Sequence, residues 1–168
     1  HSTLVIDDTS VVKFERDKLG STIINKNFKI LSKEIKSQED FYMIRASHDA
    51  YSKSHGIIHE RKINFFHNKF KLEGCDRIIK TKNFKSSNFA IRFHLLPEVN
   101  LTKLLNNETI LIESKNSGWK FRCKNHKIDI EMGLYFGIKN KYLENKNIII
   151  TGITNQEEQA INWEISRV

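Results

Sequence analysis

A chain of 168 residues with 39% hydrophobic and 29% charged residues is long enough to bury a real core, and this composition excludes a disordered chain. A formal net charge of +8 points to an anionic partner, nucleic acid or an acidic polymer, although no run of five or six basic residues concentrates it. No stretch is apolar enough to span a membrane, and Cys75 and Cys123, far apart and outside any Cys-x-x-Cys pattern, exclude a zinc ribbon or redox motif and read as two separate buried thiols, with a single disulfide as the alternative.

The chain opens at His1 with no charged and then apolar leader and runs at once into a strand pattern, so it reads as a piece of something longer. Leu4-Val5-Ile6 is the first short strand, closed by Asp7-Asp8. Val11 to Gly20 is ambiguous and is expected to be an irregular link with one helical turn. Phe28 and Ile30 alternate with lysines, Ser37 to Asp40 is turn-like, and Phe41 to Ile44 resumes an apolar run, which together predict a hairpin. Ile57 to Phe66 is strand-like, His67-Asn68-Lys69 a turn, and Phe70 to Glu73 a returning strand. Gly74 is expected to break that strand before Cys75 to Ile79. Ile91, Phe93 and Leu95 alternate with Arg92 and His94, and Pro97 ends the run.

Leu101 to Asn107 reads as a short helical turn. Strands follow over Ile110 to Ile112, Trp119 to Cys123 and Ile128 to Met132, the last extended across Gly133 to Phe136. Ile148 to Ile150 and Ile161 to Ile165 close the series, with Thr154 to Gln159 as a hairpin loop between them. No segment holds a helical period, and turn signals recur every eight to twelve residues. The fold class is therefore all-β, an antiparallel β-sandwich in one domain over residues 1–168. Trp119, Phe121, Phe93 and Trp163 alternate with polar residues and read as core.

Chemistry is densest from Arg45 to Arg61, where His48, His55 and His59 stand with Asp49, Tyr51, Glu60 and two arginines. Two readings of His48, Asp49 and Tyr51 stay open. They form a cleft wall that supplies acid, base or carboxylate contacts, or Asp49 caps a turn, Tyr51 packs with its hydroxyl bonded, and His48 satisfies backbone. On a regular strand His48 and Asp49 would face opposite ways. His55 and His59 have helical zinc spacing, but Gly56 and the β-like Ile57-Ile58 argue against a helix there. His59, Arg61 and Arg45 are candidates to grip sulfate or carboxylate, with a solvated strand face as the bland alternative.

Several stretches carry a resemblance: His1-Ser-Thr-Leu-Val, Ala46-Ser-His-Asp-Ala-Tyr with His59-Glu-Arg, Leu72-Glu-Gly-Cys-Asp-Arg, Phe89-Ala-Ile-Arg-Phe-His-Leu, Gly118-Trp-Lys-Phe-Arg and Trp163-Glu-Ile-Ser-Arg-Val. Their order and spacing resemble the C-terminal region of bacterial heparinase II/III-like polysaccharide lyases over nearly the whole chain. The resemblance implies a C-terminal β-sandwich that partners its own N-terminal α/α toroid and faces an acidic polysaccharide containing uronate. It implies cleavage by β-elimination, in which a carboxylate must be neutralised while a base removes the adjacent proton and an acid protonates the leaving oxygen.

The toroid is absent here, so the chain alone is expected to be inactive. His48 and Tyr51 are the catalytic candidates, His59, Arg61 and Arg45 the substrate contacts, and His1 the candidate ligand of a structural zinc or calcium completed upstream. No cofactor is required for turnover. Cys75 stands where an acidic residue is expected. The family further implies a bacterial periplasm or cell envelope; separately, the spread charge and the lack of an apolar span disfavour nucleic acid and membrane as partners. The alternatives are a non-catalytic carbohydrate-binding or architectural sandwich and a basic nucleic-acid-binding domain.

Overall fold

Apolar and polar residues alternate along most of the paired strands of the described chain. The computed structural model describes residues 2–16, 18–20, 22–25, 28–155 and 158–168. Its strands run in chain order as β1 (Leu4–Ile6), β2 (Lys13–Arg16), β3 (Thr22–Asn25), β4 (Ile30–Ser37), β5 (Tyr42–Tyr51), β6 (Ile57–Phe66) and β7 (Lys71–Lys80). There follow β8 (Asn88–His94), β9 (Asn100–Lys103), β10 (Thr109–Ser114), β11 (Ser117–Cys123), β12 (Lys127–Ile138), β13 (Lys141–Ile153) and β14 (Glu158–Arg167). One helical turn, α1 (Ser52–His55), joins β5 to β6.

Two antiparallel sheets carry the core. A four-stranded sheet has the order β1-β8-β13-β12, and an eight-stranded sheet has the order β4-β5-β6-β7-β14-β11-β10-β9. Period-two alternation sends Ile91, Ile128, Ile148 and Ile150 of the small sheet and Ile57, Ile110, Phe121 and Ile161 of the large sheet into one buried cluster. Full burial of each such side chain contributes about 1.5–3 kcal/mol. The ring of Phe93 meets Phe121 and Trp163 edge-on, both at 4.8 Å between centroids. The aromatic residues expected in the core are there, with Trp119 packed at its margin. Cys123 is buried on this inner face, and Cys75 is half-buried; both are free thiols.

Local signals misled at four places. Residues 13–16 pair with 22–25 as a separate two-stranded sheet where an irregular link was expected. Asn100–Lys103 is a strand and not a helical turn, because Leu101 and Lys103 find partners in Ile112 and Ile110; cross-strand pairing outweighs weak local propensity. Gly74 does not interrupt β7: it lies opposite Trp163, and a Cβ there would sit 2.0 Å from the indole. Finally, β13 and β14 lie in different sheets and do not form the expected hairpin; Glu158 and Gln159 of its expected loop belong to β14, and residues 156 and 157 lie outside the described residues.

Candidate functional site

The Arg45–Arg61 segment forms the end of β5, the turn α1 and the start of β6. Gly56 closes α1 with φ 67 and N–H to the Ser52 carbonyl, a left-handed cap that suits glycine. A Cβ at Gly56 would also lie 2.3 Å from the Asn83 and Phe84 backbone, so the turn is pressed against the β7–β8 loop. The pairing of β5 with β6 slips between His48 and Tyr51. That bulge turns both side chains to the inner face, where strict alternation would have separated them. Asp49 is left at the edge, where its carboxylate accepts from the Lys29 N–H at 2.6 Å.

On that inner face the strands bring together four groups that lie far apart in sequence. His48 stands opposite His59 across β5 and β6, and Arg61 opposite Asp76 across β6 and β7. Asp76 is 0% exposed and accepts four hydrogen bonds. His59 Nε2 donates to Oδ1 at 2.7 Å, Arg61 Nε to Oδ1 at 2.7 Å, Arg61 Nη2 to Oδ2 at 2.9 Å, and Trp163 Nε1 to Oδ2 at 2.9 Å. Burial alone would raise the Asp76 carboxyl; the His59 hydrogen bond and the Arg61 charge outweigh it and hold the group below the usual carboxylate range. The Arg61 guanidinium lies 5.8 Å from the Trp163 ring and 5.9 Å from the Phe93 ring, and its Nη1 donates to the Ser2 carbonyl.

Backbone chemistry sets the direction of the histidine chain. The Ala50 N–H donates to His48 Nδ1 at 3.3 Å, so that nitrogen is the acceptor. His48 Nε2 then carries the proton and donates to His59 Nδ1 at 3.2 Å, which leaves His59 Nε2–H for Asp76. Burial, reinforced by the neighbouring His59 and opposed by Asp49, pushes His48 down to about 4, in keeping with a neutral ring. All four ring nitrogens are occupied by hydrogen bonds, so this pair does not fit a metal. Among the described residues no group of three His, Cys, Asp or Glu side chains could hold one. His1, the residue singled out for a structural metal, lies outside the described residues.

The other expected site residues fall as follows. Tyr51 is 1% exposed, donates its hydroxyl to the Leu4 carbonyl at 3.0 Å, and is pushed up to about 12 by burial. Arg45 faces the opposite side of the sheet from His48. There it joins a ladder in which Arg45 meets Glu60 at 2.9 Å, Glu60 meets Arg77 at 2.8 Å, and Arg77 meets Glu158 at 2.6 Å. His55 leaves the network and reaches Asp7 at 3.5 Å. Thus His48, His59 and Arg61 converge, Tyr51 packs beside them with ring centroids 6.0 Å from His48, and Arg45 stands apart. Asp76 is the residue that reading by motif missed. Hairpin counting finds it: five steps back from the Phe66↔Lys71 pair at the turn, Arg61 meets Asp76.

Comparison with known proteins gives the arrangement a family. Residues 1–164 match the family model for the heparinase II/III-like C-terminal region. A heparan sulfate lyase from Pedobacter heparinus superposes with a TM-score of 0.76 at 13% identity, covering 99% of this chain and 24% of that one. A heparinase III structure gives 0.72 at 14% identity, covering 100% and 24%. A tRNA(Ile)-lysidine synthase from Mycoplasma mycoides subsp. mycoides is 30% identical over 165 residues, which is 92% of this chain and 38% of that protein. The chain therefore spans about a quarter of the solved relatives and well under half of the curated one. With its family model matched over residues 1–164 and its sandwich shared with solved heparinases, the chain belongs to the heparinase II/III-like C-terminal family.

Proposed function

We propose that this chain is the C-terminal sandwich of a polysaccharide lyase that cleaves an acidic, uronate-containing glycan by β-elimination in the bacterial envelope. The match of residues 1–164 to the family model carries the reading. In it, a preceding helical toroid supplies most catalytic groups, and the sandwich supplies one wall of the cleft and a basic field for the polyanion. His48 and Arg61 are the members of the inner-face network that stand partly open to solvent; Arg61 is locked on Asp76, and His48 is the contact placed against substrate. Its Nδ1 bond to Ala50, at 3.3 Å, is the longest in the network and the easiest to exchange for a ligand. His59, Arg61 and Tyr51 act behind it by fixing its tautomer and position. Arg45 contributes field from the outer face.

The test is ultraviolet absorbance of the 4,5-unsaturated product. The protein with its toroid should generate it from at least one of heparan sulfate, alginate and polygalacturonate, and the 168-residue chain from none. Turnover by the chain alone, or no product from the larger protein with any of the three, would overturn the reading.

A second reading is an RNA-side accessory domain. The net charge of +8 and the 30% identity to a tRNA(Ile)-lysidine synthase favour it. A salt-dependent shift with tRNA, and none with uronate polymers, would select it.

A further inference from the structure

The inner-face network leaves the outer face of the eight-stranded sheet unexplained. On β11, alternation that buries Phe121 and Cys123 sends Lys120 and Arg122 outward, and Lys124 stands exposed in the turn that follows. Beside them, β14 presents Ala160, Asn162 and Glu164, and β7 presents Glu73. Arg122, Lys124, Glu73, Asn162 and Glu164, with His126 beside them, line a groove of about 420 Å³.

The charges in this groove are unevenly matched. Glu164 is the cross-strand neighbour of Arg122, yet it pairs with Lys71 at 3.1 Å. Glu73 pairs with the same lysine at 2.8 Å. Both carboxylates are thus committed elsewhere. Among the described residues, neither Arg122 nor Lys124 has a carboxylate within salt-bridge distance, and Arg122 Nε is buried with no hydrogen-bond partner. A guanidinium N–H removed from water without an acceptor is costly to keep, and its planar fork matches a carboxylate or sulfate.

We infer that this groove is an oxyanion subsite for an acidic sugar, in which Arg122 and Lys124 hold a carboxylate or sulfate and Asn162 and Glu164 take neighbouring hydroxyls. The glycan class rests on the proposed function; the anion site rests on the groove. A nucleic-acid strand fits less well. Phe121 and Trp163 are buried in the core, and the His126 ring that lines the groove packs against Phe89, so successive bases find no row of stacking platforms. The subsite lies across the sheet from His48. An acidic chain held there is gripped away from the inner-face network.

Calorimetric titration of the chain with a heparan sulfate tetrasaccharide, a galacturonate tetrasaccharide and an oligouridylate tests this. The two saccharides separate sulfate from carboxylate recognition. Binding of either saccharide should weaken about ten- to hundred-fold in Arg122→Ala, because a charge-assisted bidentate contact is lost. It should weaken in Lys124→Ala too, and stay unchanged in Lys33→Ala on the edge strand. Arg122→Ala deletes an unpaired donor, so its melting temperature should hold; Lys124, being exposed, supplies the check if Arg122→Ala does not fold.

Saccharide affinity equal to wild type in both variants would overturn the subsite. So would binding of oligouridylate alone, or of no probe. In the toroid-bearing protein, product formation with unchanged KM in Arg122→Ala would sink the subsite and leave the lyase reading standing. Saccharide binding that depends on Arg122, without product, would do the reverse.

Discussion

Replacing Asp76 by Asn keeps the side-chain volume and removes the charge at the centre of the network. The carboxylate accepts two bonds on each oxygen. An amide offers one acceptor oxygen, and its N–H₂ must then face donors, either His59 and Arg61 Nε or Arg61 Nη2 and Trp163. The side chain is 0% exposed and that of Arg61 17%, so water cannot replace what is lost. Removing one partner of a buried ion pair costs about 3–5 kcal/mol. Arg61 keeps the Ser2 carbonyl and the faces of Phe93 and Trp163, which places the expected loss toward the lower end, about 3–4 kcal/mol. For a chain of this size that lowers the melting temperature by about 6–16 °C. Urea unfolding followed by tryptophan emission measures it, with the midpoint falling and the slope unchanged. A loss below about 1 kcal/mol would refute the claim that the carboxylate holds these strands together.

The remaining expectations use the same assay. His48 in the folded state lies at about 4, below its ordinary 6.5, so the unfolded chain takes up the proton first and stability falls as pH drops from 6.5 toward 4. A fully desolvated ring would make that about 3 kcal/mol; partial exposure reduces it to about 1–2 kcal/mol. His48→Gln should flatten that slope without abolishing it, because His94 is also lowered by burial; an unchanged slope would remove His48 as its source. Gly74→Ala should cost about 1–3 kcal/mol and shift tryptophan emission, since the new methyl displaces the Trp163 indole; wild-type stability and emission would contradict that contact. Tyr51→Phe should cost about 1–2 kcal/mol through the stranded Leu4 carbonyl, and a neutral substitution would show that the hydroxyl anchors nothing.

Strands were legible because period two survives in the residue order. Ile57 to Phe66 coincides with β6, and the Trp119, Phe121, Cys123 alternation lies within β11. Sheet order was not legible, because β14 sits between β7 and β11 through pairings far apart in sequence, such as Trp163 with Gly74 and with Cys123, which no local pattern records. The site was half legible for the same reason. His48, His59 and Arg61 stood out by residue type within one segment, whereas Asp76 and Trp163 join them only through register. The bulge between His48 and Tyr51 reversed the face that alternation assigns, and nothing in Ser-His-Asp-Ala-Tyr announces a bulge.

Geometry also ranks the chemistry-bearing residues by what each is free to do. Tyr51 and Arg61 both donate to carbonyls of the first strand segment, at Leu4 and Ser2, and Asp76 locks Arg61 from behind. These three clamp the edge of the small sheet onto β5, β6 and β7, which is work done by fully engaged groups. A general base needs an unengaged lone pair within reach of substrate. His48 alone approaches that condition, since its Nδ1 is held by one long backbone bond while its Nε2 proton is committed to His59. The clamp therefore favours the tautomer that leaves the exchangeable nitrogen as an acceptor. A group pushed down to about 4 accepts a proton weakly. A neutral acceptor of that kind suits orienting a hydroxyl better than abstracting a carbon-bound proton, and the proposed division of labour, with bases supplied from outside this chain, asks no more of it.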